Sequence, residues 1–225
     1  MPDTELRPLE VRWLGRVPYQ DGLAMQEEMV ARRRAGEIPD QLILLEHPHV
    51  VTLGTSSREE HVLLSPDEME ARGIELFQVG RGGDVTYHGP GQLVGYPILG
   101  LAPDRKDLHR YLRDMEEVLL RTLAEFGIAA GRQEGLTGVW TPQGKIAAIG
   151  VRVSSGWITS HGFALNVDPA LSYFSAIVPC GIRDRSVTSM SSILGRAVSL
   201  REVSPAVTRC FGSVFGRETF VVQTT

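Results

Sequence analysis

The stretch GRGGDVTYHGPGQLVGY, residues 80–96, decides how the rest of the chain is read. Five glycines lie between Gly80 and Gly91. Glycine concentrates where backbone turns through positive φ or passes close to another group. Residues 76–79 before the stretch and 92–99 after it read as strands. Phosphate loops and dinucleotide-binding turns open a helix, whereas this segment opens a strand, so it matches neither pattern. Its glycine density fits a ligand cradle and a structural hairpin loop equally well. Arg81 and His88 flank the loop, placed to meet a polar ligand.

Upstream, residues 9–14 alternate as a strand and residues 19–34 read as a helix that ends near Gly36 and Pro39. The apolar run Leu42-Ile43-Leu44-Leu45 predicts a buried strand over residues 41–46, followed by another at 50–53. Ser65-Pro66-Asp67-Glu68 is a helix start, with Ser65 as N-cap and acids at the positive end of the dipole. That helix stops near Gly73. Downstream, Leu108, Tyr111, Leu112, Met115, Val118, Leu119 and Phe126 recur at helical spacing, which predicts a helix over 107–126 closed by Gly127. Val139-Trp140, a turn at 141–144 and residues 145–153 form a hairpin. Residues 157–167 continue as strand, and 200–215 as a C-terminal helix. Strands and helices alternating around central hairpins predict an α/β fold, with one domain over residues 1–225 and a mixed sheet flanked by helices.

Composition bounds the function. The chain has 225 residues, a formal net charge of −4, 42% hydrophobic residues, 24 Gly and 13 Pro, a globular balance. Weak acidity argues against binding nucleic acid by charge alone. The first fifteen residues lack the basic and apolar regions of a secretory signal. No apolar run approaches the roughly 20 residues that span a bilayer. A cytoplasmic protein with no nucleic-acid or membrane partner is expected. Two cysteines, Cys180 and Cys210, do not make a disulfide scaffold. Lys106 and Lys145 are the two lysines; the other 21 of the 23 basic residues are arginines (23 − 2), as GC-rich codons would produce. Chemistry that needs a thiol or a neutral amine therefore has few candidates.

Position alone favours Cys180 over Cys210 as a nucleophile. Cys180 lies between Pro179 and Gly181, in a turn that presents its side chain. Cys210 lies within an amphipathic helix, where a buried cysteine behaves as a small hydrophobe. Lys145 follows a turn glycine and opens the apolar strand IAAIGV, which in isolation reads as a solvated hairpin end. Arg32-Arg33-Arg34 reads as a solvated helix end, and His47-Pro48-His49 as a loop after a strand rather than a metal site.

Several motifs together resemble a known family. Arg81-Gly82-Gly83 with Thr86-Tyr87-His88-Gly89-Pro90-Gly91-Gln92 is similar to the signature of the lipoyl (octanoyl) transferases, the lipoate–protein ligase B-type enzymes. Gly144-Lys145-Ile146-Ala147-Ala148-Ile149-Gly150 resembles the family's lysine strand, and Ser160-His161-Gly162-Phe163-Ala164-Leu165-Asn166-Val167 its next strand. Pro179-Cys180-Gly181 followed by Val187-Thr188-Ser189-Met190 resembles its cysteine loop. The motifs run in family order over residues 81–190. The resemblance implies the α/β catalytic-domain fold shared with biotin protein ligases and lipoate-protein ligase A-type enzymes.

It also implies a function. Members move octanoate from acyl carrier protein to lipoyl domains, the first step of endogenous protein lipoylation. The resemblance assigns Cys180 as the nucleophile that becomes an acyl thioester, and Lys145 as its dyad partner and proton relay. The substrate would be bound by Arg81, Gly82, Gly83, Asp84, Val85, Thr86, Tyr87 and His88, by Ala148, Ile149 and Gly150, and by Gly162, Phe163 and Ala164. His161 would lie close by. The small residues suit a narrow acyl tunnel. The donor would be octanoyl-acyl carrier protein; the acceptors would be apo lipoyl domains of 2-oxoacid dehydrogenase E2 subunits and the glycine cleavage H protein. The thioester supplies the free energy, so neither ATP, another cofactor nor a metal is expected. This chemistry agrees with the residues: a free thiol ionises near pH 8.5 and needs a base or a positive charge for activation. The alternatives are an ATP-dependent lipoate or biotin ligase on the same fold, and a non-catalytic protein that binds lipoyl domains.

Overall fold

The structure, a computed structural model, describes residues 6–178 and 186–222. In chain order the elements are β1 (Arg7–Arg16), α1 (Tyr19–Ala35), β2 (Asp40–Glu46), β3 (Val50–Leu53), α2 (Pro66–Ala71), β4 (Glu75–Gln78), β5 (Val85–His88), β6 (Gln92–Ile98), α3 (Leu108–Glu125), β7 (Gly131–Gln133), β8 (Leu136–Thr141), β9 (Gly144–Ser154), β10 (Ile158–Asn166), α4 (Met190–Leu194), α5 (Leu200–Phe215) and β11 (Arg217–Val222).

The main sheet runs β11-β1-β2-β6-β10-β9-β8-β7. The β11-β1-β2 edge is parallel and the remaining pairs are antiparallel, as expected of a mixed sheet. Period two along β2 explains its apolar run, because successive side chains leave opposite faces. Leu42 and Leu44 enter the core shared with α3 and α5, while Ile43 and Leu45 join Met25 and Met29 of α1 on the other face. Asp107 caps α3 by accepting the Arg110 N–H. The helix then buries Tyr111, Met115, Val118, Leu119 and Leu123 completely. Met115, Val118, Leu119 and Leu123 each contribute about 1.5–3 kcal/mol relative to exposure. Ser65 and Glu68 close a reciprocal capping box on α2.

Three strands depart from the sequence expectation. The glycine-rich stretch is not one loop: β5 lies inside it and pairs with β3 in a second sheet, β4-β3-β5. Both β7 and β11 are additional edge strands; β11 pairs with β1 across nearly the whole chain. The Arg32-Arg33-Arg34 helix end is only partly solvated. Arg33 Nε donates to the buried Asp40 Oδ1 at 2.8 Å, and Arg34 Nη2 to Ser154 Oγ at 3.1 Å. No helix among the described residues is long and apolar enough to cross a membrane.

Candidate active site

Between the α1 side of the main sheet and the segment 81–88 lies a cavity of about 250 Å³. Arg81, Gly83, Asp84, Val85, Thr86 and His88 line one wall. Strand β9 contributes Lys145, Ala148, Ile149 and Gly150; β10 contributes His161, Gly162, Phe163 and Ala164. Two expected binding residues do not line it. Gly82 is tied to the sheet by its N–H, which donates to Val151 O at 2.9 Å. Tyr87 turns into the core of the small sheet, where its hydroxyl meets His49 Nδ1 at 2.7 Å. Cys180 lies outside the described residues. The last described residue before it is Val178, whose N–H donates to His61 O at 2.8 Å. After it, Ser186 accepts the Lys145 N–H at 2.9 Å, and the Thr188 N–H donates to Lys145 O at 3.0 Å.

Lys145 is not a solvated hairpin end: it is 8% exposed. Its ammonium sits 5.2 Å from the centroid of the Trp140 ring, a cation–π contact. Its stem crosses Gly138, where an added Cβ would lie 2.8 Å from Lys145 Cε. Smallness at Gly150 likewise serves close backbone approach. A Cβ there would stand 2.9 Å from Gly82 O, so the missing side chain lets the 81–88 wall close on β9.

Arg81 is buried and anchored. Its Nη2 donates to Thr52 O and Oγ1, both at 2.8 Å, and its Nη1 to Gly82 O at 3.1 Å. It therefore braces the loop from behind and places positive charge at the back of the cavity. His88 is buried too. Loss of hydration, chiefly, with His47 and Arg81 adding repulsion, pushes its pKa down to about 3. His161 falls to about 4, through burial first and then Arg81 and Arg152. Both rings are neutral at physiological pH. His161 also stands at φ +55°, outside the region a non-glycine residue prefers, and its N–H donates to Gln26 Oε1 at 2.7 Å. His47 and His49 are occupied by hydrogen bonds to Val17 O, the Tyr96 hydroxyl and the Tyr87 hydroxyl. Asp84 Oδ2 pairs with His61 Nδ1 at 2.7 Å.

Sequence reasoning did not single out Tyr19, Gln92, Tyr96 or Asn166, which also line the cavity. Asn166 had a readable signal. Phe163 and Leu165 pack into the α3 core, Phe163 also edging the cavity, and period two turns Ala164 and Asn166 to the opposite side of β10, where both line it. Gln26 had none: it reaches the site from α1 through one side chain.

Comparison with known proteins follows the same lines. Residues 18–212 match the family model described as lipoyl protein ligase A/B catalytic domain. The chain is 50% identical over 215 residues to an octanoyltransferase of Chloroflexus aurantiacus, covering 95% of this chain and 96% of that one. It is 52% identical over 208 residues to an octanoyltransferase of Solibacter usitatus, covering 92% and 93%. A lipoate-protein ligase A bound with ATP superposes with a TM-score of 0.80 at 22% identity, covering 97% of this chain and 90% of that one. The biotin protein ligase of Aquifex aeolicus in complex with biotin and ATP gives 0.58 at 15% identity, covering 92% and 70%. These two likenesses concern the fold, which is the one the sequence motifs implied. By its matched residues and its half-identical relatives, the chain belongs to the lipoyl protein ligase A/B catalytic-domain family, among the octanoyltransferases.

Proposed function

We propose that this acyltransferase moves an octanoyl group from octanoyl-acyl carrier protein to a lysine of lipoyl domains, through a thioester on Cys180. The Cys180 thiolate attacks the donor carbonyl, the C–S bond to the carrier breaks, and the carrier thiolate takes a proton. The acceptor lysine amine then attacks the new thioester. An amide forms, Cys180 leaves as thiolate, and the amine's proton is carried off. Lys145 relays the proton in both steps. The donor thioester supplies the free energy, so the cycle uses no ATP and no metal. Acceptors are E2 lipoyl domains of 2-oxoacid dehydrogenases and the glycine cleavage H protein, in the cytoplasm, where a nucleophilic thiol stays reduced.

The observation that carries this reading is Lys145. It is a buried lysine on the wall of a largely apolar cavity, and its backbone is laddered to residues 186–188, six to eight positions past Cys180. Such an amine has a use next to a thiol, as base when neutral and as counter-charge when protonated. The supporting test is incubation with octanoyl-acyl carrier protein and no ATP, followed by intact-mass measurement. A gain of one octanoyl group, passed on to an added lipoyl domain, is expected. Product that forms only with ATP would establish a ligase instead, and binding without transfer would establish a non-catalytic partner.

A further inference from the structure

We propose that Glu116 is a positioning residue for Lys145, acting through Gly138. Glu116 lies on the apolar face of α3 and is fully buried. A carboxylate is costly to bury unless it is paired. Here Oε2 accepts from Arg113 Nη1 at 2.6 Å and from Arg132 Nε at 3.0 Å. Those two arginines hold the charge in place and leave Oε1 for another task. That oxygen accepts the N–H of Gly138 at 3.1 Å.

Gly138 is the residue on which the lysine stem rests. It stands at φ +126°, and a Cβ there would fall 2.8 Å from Lys145 Cε and 2.7 Å from Ala147 O. Trp140, two residues along and on the same face of β8, backs the ammonium. Gly138 is thus the floor of the lysine's slot and Trp140 its wall. The β8–β9 register slips between Val139 and Trp140, so the regular ladder does not by itself set the floor's height. The Glu116 hydrogen bond does. A staple between a helix and a strand would need only some polar contact; this one falls where displacement by a fraction of an ångström moves the amine.

The inference rests on Lys145 being the proton relay, and the test separates the two. Glu116→Gln keeps an acceptor within reach of the Gly138 N–H. Glu116→Asp keeps the charge between Arg113 and Arg132 but is one methylene too short. The two variants and Lys145→Ala are made in the full chain. Two quantities are read: the pH profile of Cys180 alkylation by iodoacetamide, resolved by peptide mass, and the acylation rate with octanoyl-acyl carrier protein. Lys145→Ala should shift the alkylation profile to higher pH, since the thiolate loses its partner. Glu116→Asp should shift it the same way and lower kcat about 10-fold with KM nearly unchanged, while Glu116→Gln loses less than about 3-fold, because a misplaced group costs the chemical step rather than binding. The reverse order, with Gln the worse variant, would overturn the inference and leave Glu116 as a charge-pairing staple. Wild-type profiles in both Glu116 variants would overturn it as well. A wild-type profile in Lys145→Ala would remove the dyad, and this inference with it.

Discussion

Gln92 Nε2 donates to Asn166 Oδ1 at 2.9 Å, and the direction of that bond fixes the protons along a whole row of residues. Asn166 Nδ2 donates to Thr188 O at 3.0 Å, a carbonyl that only accepts, so the Asn166 oxygen must face Gln92. Gln92 Nε2 also donates to Tyr87 O at 3.2 Å, which turns its own oxygen toward His88 Nδ1 at 2.7 Å. His88 therefore carries its proton on Nδ1 and keeps the lone pair on Nε2. At the other end of the row, the Thr188 N–H donates to Lys145 O. The 81–88 wall of the cavity and the lysine strand are joined through one buried, directional chain.

Asn166→Asp tests that polarity. The substitution replaces the donor to Thr188 O with an acceptor, so two oxygens face each other in a buried site. An unmet buried hydrogen bond costs about 1–3 kcal/mol, and the urea midpoint should fall accordingly. Nitrogen NMR of the wild-type protein should find His88 protonated on Nδ1. Finding the Nε2–H tautomer would reverse the chain and defeat the argument.

The buried histidines also set the response to acid. Burial chiefly holds His47 and His161 at about 4 and His88 at about 3. In the unfolded chain all three titrate near 6.5. Between those values the unfolded state binds more protons, so these groups remove stability as pH falls below about 6.5, each by about 1.4 kcal/mol per pH unit. Above about pH 7 they contribute no slope. Urea midpoints should therefore drop from about pH 6.5 to about pH 5, before most carboxylates titrate. His47→Asn, by removing one of three sites, should flatten that slope by about a third. A flat wild-type profile over this range would show the rings to be charged in the fold.

What could be read from the sequence follows the reach of each interaction. Helix α3 and strand β2 were legible because their periodicity is local, and the β8–β9 hairpin because its turn lies at Thr141-Pro142-Gln143-Gly144. Strand β5 was not: Val85-Thr86-Tyr87-His88 becomes a strand only by pairing with β3, more than thirty residues earlier. Strand β11 depends on β1 at the opposite end of the chain. The cavity residues were legible as motifs, while the residues that steady them were less so. Glu116 had a signal, since it falls four residues after Leu112 and three before Leu119, on the apolar face of a helix. The Lys145–Trp140 contact had a weaker one, in the hairpin register.

Gln26 supplies a separate stability prediction. Its Oε1 accepts the His161 N–H, at a backbone position held at φ +55°. Such a conformation costs of order 1–3 kcal/mol and persists only when its surroundings enforce it. Gln26→Ala leaves that buried N–H unmet, so a loss of about 1–3 kcal/mol is expected in urea unfolding. An unchanged midpoint would show that β10 holds His161 without help from α1.

The two cysteines make the sharpest contrast in chemistry. Cys210 is packed with Phe211 and Phe215 in the α3–α5 core, and its Sγ donates to Glu125 Oε1 at 3.4 Å. Burial raises its thiol pKa above the ordinary value; a contact with Thr122 opposes this, and the Glu125 carboxylate adds to it. Its thiolate is thus scarce, and thiolate is the attacking species. Cys210→Ala should therefore gain one octanoyl group from octanoyl-acyl carrier protein at close to the wild-type rate, with a modest fall in stability from the lost core atom. Cys180→Ala should gain none. Intact-mass spectra of the two variants decide the matter: an octanoyl adduct on Cys180→Ala that disappears in the double variant would move the nucleophile to Cys210, against everything its surroundings do to the thiol.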